Sequence, residues 1–463
     1  MAKIAYITHG RILSCLNAAL GLAEQLQARG HQVTFISNAD LSEQAQSHGL
    51  GFIKLTAHQD RFSDCRASPV PRNPLRWCHW LRKRNLLHQE SFHCKELENL
   101  LQELKCDLHL IETEFHTAIL STLHLPTPLV LHQNISYYHR HPNNPPLNSE
   151  LIPSKNQHNR DEIEEAWSAL NKESEAIRNK KPPLLRRLKR QLIPLSPETN
   201  NYRSLQRFAK ARDIELAQHI HLENFLRPFF YRHLPIVATA LRELEFLSDF
   251  DENFHHLGPA VGSHFGRIKD EDSYQRWQEF SETHLRQLPE QKLIYCSIGS
   301  LLKTNFPFFE KVIAAVKKHP EWSLVIGLGS QADPDTASKV FGKLPPQMLI
   351  LPWAPQFEIL AKAHCLITHC GASSIYEALL QNTPILAYSG KVLDENGNTA
   401  RLKHHQLAHS GDIETDSSLD IEQKIALTLT DPEIKKNTAT FQKHILRCQK
   451  DQLAAKKIEQ FIN

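Results

Sequence analysis

Short apolar runs alternate with amphipathic stretches at the beginning of the chain. Residues 3–8 form a β-rich run, and apolar side chains then recur at positions 16, 20, 23 and 26 until Gly30 interrupts the pattern. This three- and four-residue spacing predicts a helix over residues 16–29, while the apolar run at 31–37 predicts a second strand. Strands separated by helices favour right-handed βαβ units and a parallel sheet.

The same alternation continues for about a hundred residues and begins again near position 293. In the first series it predicts a helix at 40–48 and strands at 52–55, 106–111 and 129–132. In the second series, after a strand that begins at 293 and ends in a Gly-Ser turn, it predicts a helix at 309–318 and strands at 322–328, 348–351, 365–368 and 384–388.

The two series predict two facing Rossmann-like α/β domains, each with a parallel sheet, and a ligand cleft between them. The first domain is expected over residues 1–250, with a polar helical insertion at about 140–235. A linker is expected over 251–290, because this stretch is polar and contains a Gly-Pro step. The second domain is expected over 291–430, followed by one long C-terminal helix at 431–463.

Composition limits the class of protein. Hydrophobic residues make up 41% of the 463 residues and charged residues 23%, which is an ordinary globular balance. The formal net charge of +3 is too small to point to a nucleic-acid partner. Nine scattered cysteines, an N-terminus unlike a signal peptide and the lack of a run of ~20 apolar residues favour a reduced, cytoplasmic chain.

The turn after one predicted strand of the second domain could bind a phosphate. The strand at 365–368 runs into His369 and Gly371, and a helix begins near Ser373 and Ser374. Small residues at a strand-to-helix turn let backbone N–H groups approach a ligand, and a helix N-terminus favours an anion. The serine hydroxyls and the imidazole add side-chain donors, although an ordinary capped helix shows the same local pattern.

Residues around this turn could bind a base, a ribose and a further sugar. Trp353 offers a flat apolar face for stacking on a base, and Gln356 offers an amide for the edge of that base. Glu377 lies about one turn inside the predicted helix, where it could accept hydrogen bonds from ribose hydroxyls. A polar cluster suited to sugar hydroxyls follows the next strand and consists of Asp394, Glu395 and Asn398.

Four motifs in this stretch follow one another in a fixed order. They are Trp353-Ala354-Pro355-Gln356, His369-Cys370-Gly371-Ala372-Ser373-Ser374-Ile375-Tyr376-Glu377, Asn382-Thr383-Pro384 and Asp394-Glu395-Asn396-Gly397-Asn398-Thr399. Together they resemble the signature of the UDP-glycosyltransferase family, which runs Trp-x-Pro-Gln, His-Cys-Gly-x-x-Ser-x-x-Glu, Gly-x-Pro and Asp-Gln-x-x-Asn-Ala. Weaker likeness extends to Glu243-Leu244-Glu245, to the strand near 294–300 and to the first helix and second strand.

The resemblance implies a GT-B fold whose C-terminal domain binds the donor, most often a uridine diphosphate sugar. By their positions in the motifs, Trp353 and Gln356 would bind the base and Glu377 the ribose. The diphosphate would be bound by His369, Ser373 and Ser374, by backbone N–H groups near Gly371 and, in addition, by Ser300. Asp394 and Glu395 would bind the sugar. The resemblance implies no metal or other cofactor, because a helix N-terminus and His369 can stabilise a leaving diphosphate.

Two departures from the family pattern concern the donor, and one concerns catalysis. Glu395 stands where Gln is usual, which leaves the identity of the sugar open, and Ser373, a smaller donor, stands where Asn is usual. Cys15 stands where the family has its general base, a His at the start of the first helix. A cysteine could take a proton only as a thiolate, and its unperturbed pKa is near ~8.5.

Other residues near the first strands could supply the missing base. His9 follows the first strand, on the same side of the expected sheet as Cys15. Glu112 takes the position of the family's supporting Asp after the strand at 106–111, and Glu114 is close to it. His9 as an alternative base and Glu112 as its orienting carboxylate are therefore the catalytic candidates beside Cys15, although a solvated loop histidine and a small packed cysteine would give the same sequence.

The leading functional prediction is an inverting transfer of a hexose, with glucose the first choice, from a UDP-sugar to a hydroxyl of a small lipophilic acceptor. One alternative is a nucleotide-sugar epimerase of the same fold. Another is a catalytically weak sugar-nucleotide-binding protein, which the cysteine at the base position suggests. A dehydrogenase is disfavoured, because the turn His9-Gly10-Arg11 lacks a Gly-x-Gly-x-x-Gly pattern.

A basic, leucine-containing stretch at 179–192 suggests a possible site of peripheral membrane contact. Its leucines recur at helical spacing with lysines and arginines on the flanks. Such a helix could dock on anionic lipid, where each basic residue adds ~1 kcal/mol, and this would suit a lipid-dissolved acceptor. A solvated helix whose leucines pack on the first domain is the simpler interpretation.

Overall fold

The computed structural model describes residues 1–10, 13–56, 73, 77, 80, 95–179, 202–221, 230–260, 270–285, 290–299, 305–329 and 340–462. Ser300 and nearly all of the basic stretch at 179–192 lie outside these residues. Within the described ranges the chain forms two parallel sheets that are covered by helices.

The N-terminal sheet is parallel throughout and has seven strands. Its order is β3-β2-β1-β4-β5-β8-β9, and the two-residue strands β6 and β7 form a separate antiparallel ribbon. The nine strands are β1 (Lys3–Ile7), β2 (Gln32–Ser37), β3 (Gly51–Lys54), β4 (Leu108–Glu112), β5 (Leu129–Gln133), β6 (Ile220–His221), β7 (Phe230–Tyr231), β8 (Ile236–Ala238) and β9 (Phe254–His256).

The C-terminal sheet has six parallel strands in the order β12-β11-β10-β13-β14-β15. These strands are β10 (Lys292–Ser297), β11 (Trp322–Gly327), β12 (Met348–Leu351), β13 (Cys365–Thr368), β14 (Ile385–Ala387) and β15 (Ala408–Ser410). In each sheet the strand order reverses beside the first strand, and such a reversal opens a crevice at the carboxyl ends of the strands. The predicted pair of Rossmann-like domains is confirmed.

Helices connect the strands and cover both sheets. In chain order they are α1 (Leu13–Ala28), α2 (Ser42–Ser47), α3 (Glu96–Leu104), α4 (His116–Thr122), α5 (Gln157–Asn179), α6 (Tyr202–Lys210), α7 (Leu216–His219), α8 (Glu271–Phe280), α9 (Phe306–Val316), α10 (Gln356–Leu360), α11 (Ala372–Leu380), α12 (Glu395–His404), α13 (Ser418–Thr430), α14 (Pro432–Lys450) and α15 (Leu453–Glu459). None of these helices of the described ranges is long and apolar enough to cross a membrane.

Helix α1 shows how local sequence produces these elements. Its apolar residues at 16, 19, 20, 22, 23 and 26 are buried in one cluster with the strands of the first sheet. The helix ends at Gly30, whose φ of +85° few other residues adopt. There His31 N donates to Leu26 O (3.1 Å) and Gly30 N donates to Gln27 O (2.8 Å), a Schellman ending that turns the chain into β2.

Two predicted boundaries differ from the structure. Strand β9 belongs to the N-terminal sheet although it lies within the segment 251–290 that was expected to be a linker. The expected single helix at 431–463 is two helices, α14 and α15, separated by Asp451 and Gln452, and Gln452 has a φ of +50°. The chain turns there because Ala454, Ala455 and Ile458 of α15 pack in the core of the N-terminal domain.

Candidate active site

A cleft with a volume of about 260 Å³ lies between the carboxyl ends of the two sheets. The C-terminal domain contributes its β13–α11 turn, the first residues of α10 and α12, and the ends of β10 and β11. The N-terminal wall consists of Ser14, Cys15, Asn17, Glu114, Asn134 and Ile135. Side chains from both domains therefore face the same cavity.

The turn between β13 and α11 presents a helix N-terminus to the cleft. Gly371 is the N-cap residue of α11, and no side chain caps this helix. The N–H groups of the first turn therefore have no partner within the helix or in a capping side chain, which makes them ready donors to an anion. Cys370, just before the cap, has a φ of +70°, and its carbonyl accepts a hydrogen bond from Asn398 Nδ2 (3.0 Å).

The imidazole of His369 lies between two glycines. A Cβ atom on Gly299 or on Gly371 would lie 2.7 Å from the nearest atom of the ring, so both positions require a residue without a side chain. Burial lowers the pKa of His369 to about 4, against a smaller opposing effect of a hydrogen bond with the Ser297 backbone. The ring is therefore neutral near pH 7, and its Nε2 is 3.9 Å from Glu395 Oε1.

A hydrogen-bonded set connects α10 with α11. Gln356 Nε2 donates to Glu377 Oε2 (2.8 Å) and to Ser374 Oγ (3.3 Å), while Tyr295 donates its hydroxyl proton to Gln356 Oε1 (3.2 Å). Burial raises the pKa of Glu377 to about 8, although the bond from Gln356 opposes this rise. Gln356 thus orients the Glu377 carboxyl group, which holds a proton near neutral pH. Trp353 lies beside them on the cleft wall and is partly exposed.

The predicted sugar cluster divides into two roles. Asp394 and Glu395 line the cleft at the start of α12, and burial raises the pKa of both, that of Glu395 to about 7. Asn398 is buried, does not line the cleft and donates through Nδ2 to Asp394 Oδ2 (2.8 Å) and to the Cys370 carbonyl. Asn398 therefore stabilises the cleft wall and does not face a ligand, because its position one turn into α12 directs its side chain toward Asp394 and the β13–α11 turn.

The loop before α12 carries two non-glycine residues in the left-handed region. Lys391 and Leu393 have φ values of +58° and +52°, a conformation that costs each about 1–3 kcal/mol. The loop is held by hydrogen bonds from Lys391 N to Ser389 Oγ (3.0 Å) and from Val392 N to Glu395 Oε2 (3.3 Å). It places Val392 and Leu393 at the cleft rim, exposed by 38% and 53%.

His9 and Glu112 form a buried pair in the N-terminal domain. His9 Nε2 is 3.2 Å from Glu112 Oε1, and Glu112 Oε2 accepts hydrogen bonds from Thr8 Oγ1 (2.6 Å) and from His9 N (3.3 Å). Neither residue lines the cleft, and His9 is completely buried. The expectation that His9 faces an acceptor is wrong, because the chain reaches the cleft wall only after the turn at Gly10.

Cys15 lies on the cleft wall at the position where a catalytic histidine was expected. Its Sγ is 3.5 Å from Asn134 Oδ1. Burial raises the pKa of Cys15 well above its usual value, and the charges of Glu112 and Glu114 raise it further. The group therefore remains a thiol at neutral pH and is a poor proton acceptor. Glu114, two residues after the end of β4, lines the same wall.

Arg401 joins the two domains beside the cleft, and sequence reasoning did not select it. Its guanidinium is fully buried, and Nε donates to Glu245 Oε2 (2.8 Å). The same side chain donates to the Tyr137 carbonyl (3.1 Å) and to Asn144 Oδ1 (3.3 Å). The only feature of the sequence that could have indicated this role is the presence of an arginine in the run of small and polar residues after Asp394. The sequence does not show that its partner is Glu245.

A close backbone contact reinforces this junction. Gly397 N donates to the Leu147 carbonyl (2.7 Å), and a Cβ atom on Gly397 would come within 2.6 Å of that oxygen. Asn396 Nδ2 donates to the Asn148 carbonyl (3.0 Å). The first turn of α12 therefore packs directly against a loop of the N-terminal domain.

Within the described ranges, no group of three or more His, Cys, Asp or Glu residues could hold a metal ion.

This geometry agrees with the fold of known proteins. Two solved structures superpose on the whole chain. The glycosyltransferase of kitacinnamycin has a TM-score of 0.64 and 16% identity, and the match covers 100% of this chain and 99% of that one. The calicheamicin glycosyltransferase CalG4 has a TM-score of 0.59 and 15% identity, and the match covers 100% of this chain and 98% of that one. The fold is therefore GT-B.

Sequence comparison agrees with the fold. Residues 279–452 match the family model described as UDP-glucoronosyl and UDP-glucosyl transferase. The NDP-glycosyltransferase YjiC of Bacillus licheniformis is 25% identical over 213 residues, which cover 46% of this chain and 49% of that protein. The oleandomycin glycosyltransferase of Streptomyces antibioticus is 29% identical over 153 residues, which cover 33% and 34%. The chain thus spans about half or less of the length of these two relatives.

A longer alignment reaches both domains. The demethyllactenocin mycarosyltransferase of Streptomyces fradiae is 22% identical over 452 residues, which cover 96% of this chain and 83% of that protein. The C-terminal part of the chain is similar to the UDP-glycosyltransferase family, as its four motifs suggested, and this matched part lines the cleft with those motifs.

Proposed function

We propose that this protein transfers a hexose, with glucose the first choice, from a uridine diphosphate sugar to a hydroxyl group of a small lipophilic acceptor. The observation that carries the proposal is the composition of the cleft. The N-terminus of α11, His369 and the Gln356–Glu377 pair line it from one domain, and the start of α1 and the turn after β4 line it from the other. A donor and an acceptor bound to opposite walls would meet inside it.

The donor wall has a suitable group for each part of a nucleotide sugar. The free N–H groups at the start of α11 suit a diphosphate, and Trp353 offers a face for a base. Glu377, oriented by Gln356, would bind the ribose, and Asp394 and Glu395 would bind sugar hydroxyls. Ser373 also lines the cleft next to the helix N-terminus. These assignments support a uridine diphosphate donor.

The reaction would be a single displacement. The acceptor oxygen would attack the anomeric carbon from the N-terminal wall while the bond to the diphosphate breaks on the side of α11. Attack opposite the leaving group inverts the configuration at that carbon. The helix N-terminus would stabilise the charge that develops on the departing diphosphate, and so the transfer would need no metal ion or other cofactor.

Apolar residues at the cleft rim support a lipophilic acceptor. Val392 and Leu393 are exposed on one side of the opening, and Ile135 lies on the other wall. Peripheral contact with an anionic membrane through the stretch at 179–192 stays a sequence prediction. Liposome co-sedimentation at low and high salt would test it, with loss of binding expected when Arg186, Arg187, Lys189 and Arg190 become Gln.

The proposed activity can be tested with several nucleotide sugars and a panel of acceptors in the presence of EDTA. We expect an acceptor-dependent glycoside and free uridine diphosphate, detected by mass spectrometry, and an anomeric configuration opposite to that of the donor, measured by NMR. Conversion of the donor without any acceptor would instead indicate an epimerase. Binding of the nucleotide without product would indicate a sugar-nucleotide-binding protein.

Variants of the donor wall test the assigned residues. Replacing Trp353 or Glu377 with Ala should weaken uridine diphosphate binding by roughly 1–3 kcal/mol each in calorimetry, because a stacking surface or a hydrogen-bonding carboxyl group is lost. The matched control is Tyr274→Ala, which removes an exposed aromatic ring outside the cleft. Unchanged affinity in both cleft variants would contradict the assigned site.

A further inference from the structure

We propose that the carboxylate of Glu114 is the general base that takes the proton from the acceptor hydroxyl. This inference rests on the proposed sugar transfer and names the group that completes it. The reaction needs such a group on the wall opposite the donor, because an attacking alcohol must lose its proton as its oxygen bonds to the anomeric carbon.

The two bases indicated by the sequence do not meet this need. The imidazole of His9 is completely buried against Glu112 and does not line the cleft. Cys15 lines it, but burial and two nearby carboxylates keep the sulfur protonated, with Sγ 3.5 Å from Asn134 Oδ1. A buried imidazole cannot reach an acceptor in the cavity, and a protonated thiol cannot accept a proton.

Glu114 satisfies the geometric requirement. It lies in the turn between β4, which ends at Glu112, and α4, which begins at His116. This turn carries the chain past the edge of the sheet, so that Glu112 is buried while Glu114 is partly exposed on the wall of the cleft. Apart from Cys15, Glu114 is the only ionisable residue among the described residues of the N-terminal wall.

Its neighbours suit an acceptor hydroxyl. Asn17 and Asn134 line the same wall and can hydrogen-bond to an acceptor beside the carboxylate. In the proposed step the acceptor O–H bond breaks and its proton moves to a carboxylate oxygen of Glu114. The acceptor oxygen forms a bond to the anomeric carbon, and the electron pair of the breaking C–O bond leaves with the nucleoside diphosphate. Solvent then removes the proton from Glu114.

The test compares two acceptors in wild type and in Glu114→Gln. One is an aliphatic alcohol and the other is 4-nitrophenol, which ionises near neutral pH and needs little help from a base. With the alcohol, kcat should fall by roughly 10²–10⁴-fold, the usual contribution of a general base. With 4-nitrophenol, the fall should be much smaller. Uridine diphosphate affinity should be unchanged, since Glu114 lies on the wall opposite the donor.

The matched control is Glu103→Gln, which removes the charge of an exposed glutamate on α3, away from the cleft, and should leave both rates unchanged. Glu114→Asp, which keeps a carboxylate, should recover part of the activity with the alcohol. A kcat of Glu114→Gln within about threefold of wild type on the alcohol would overturn the assignment.

An equal loss with both acceptors would also overturn it, because a residue that only positions the acceptor affects the phenol as strongly as the alcohol. Failure of the proposed function would look different. In that case the wild-type protein itself would form no glycoside from any donor, whereas failure of the Glu114 assignment appears only in the variant.

Discussion

Carboxyl groups with raised pKa values are the main residue-scale feature of the cleft. Burial raises the pKa of Glu377 to about 8 and that of Glu395 to about 7, and it also raises the pKa of Asp394. Glu377 and Glu395 are therefore protonated, fully or in part, near neutral pH. This matters because the described residues that line the cleft include no Lys or Arg to offset an anionic ligand. Neutral carboxyl groups can line the cleft without repelling a diphosphate.

The raised pKa of Glu377 predicts a pH-dependent cost to stability. The native state keeps this proton up to about pH 8, whereas an ordinary glutamate releases it near 4.5. Between these values the native state binds more protons than the unfolded state, so the free energy of unfolding falls as pH rises. Glu377→Gln mimics the protonated form and should be neutral near pH 4 but stabilising by roughly 2–4 kcal/mol at pH 8.5.

Urea unfolding of wild type and Glu377→Gln at both pH values would check this expectation. The exposed Glu282, changed to Gln, provides a control that should show no such dependence. An equal difference between variant and wild type at pH 4 and pH 8.5 would mean that the carboxyl group has an ordinary pKa in the native protein.

At the scale of elements, the β13–α11 turn depends on two glycines from different segments. Gly299 follows β10 and Gly371 caps α11, and the His369 ring occupies the space that their side chains would fill. The helix N-terminus and the imidazole therefore meet at one point, although Gly299 and Gly371 are 72 positions apart in the sequence. The close approach of the backbone at Gly299 and Gly371 to the His369 ring therefore sets the position of the predicted diphosphate site.

Gly371→Ala tests this arrangement. The φ of −63° suits alanine, so any cost arises from the new Cβ, which would lie 2.7 Å from His369 Nε2. We expect a loss of about 1–3 kcal/mol in stability from overpacking and weaker uridine diphosphate binding. In the double variant with His369→Ala the clash disappears, so the stability losses should not add. If the losses in the free energy of unfolding are additive, the new Cβ at position 371 does not clash with the His369 imidazole.

At the scale of the molecule, the two domains are joined by a buried ion pair and a backbone contact. Arg401 from the C-terminal domain pairs with Glu245, which lies in the segment between β8 and β9. A more exposed ion pair fastens α15 to the N-terminal domain, and in it Arg29 Nε donates to Glu459 Oε1 (2.6 Å). The cleft lies between these domains, so the contacts that fix their orientation also fix its width.

Arg401→Met should therefore destabilise the protein much more than a surface charge change does. Removing the arginine leaves the buried Glu245 carboxylate with only His256 (3.5 Å) and the Tyr137 N–H (2.7 Å) beside it, and breaking a buried pair in this way costs about 3–5 kcal/mol. Arg29→Met is the matched control, since it breaks a more exposed pair between α1 and the C-terminal helix α15 and should have a much smaller effect. Urea unfolding measures both, and small-angle scattering should detect a wider separation of the domains only in Arg401→Met. Equal effects of the two variants would contradict the buried link.

Local sequence predicted much of the fold and several of the residues that line the cleft from the C-terminal domain. Apolar periodicity is a property of neighbouring residues, and it indicated β1, β2, β11, β12 and β13 because each is a buried run of four or more residues. The three-residue strands β8, β9 and β15 were not predicted, whereas β14, which is equally short, was expected within the run at 384–388. The motif spacing likewise indicated Trp353, Gln356, His369, Glu377 and Asp394, and the structure places all of them on the cleft wall.

The sequence by itself determined two parallel-sheet domains and the strand–turn–helix beside the cleft, because these depend on side-chain period and on residues close in the chain. Tertiary structure alone decided which side chains reach the cleft and in which protonation state. His9 is buried because Glu112, from a distant strand, packs against it, and Cys15 remains a thiol because burial and charges from distant residues raise its pKa. Arg401 meets a partner 156 positions earlier in the chain. Burial and charge pairing are sums over long-range contacts, and no local pattern encodes them.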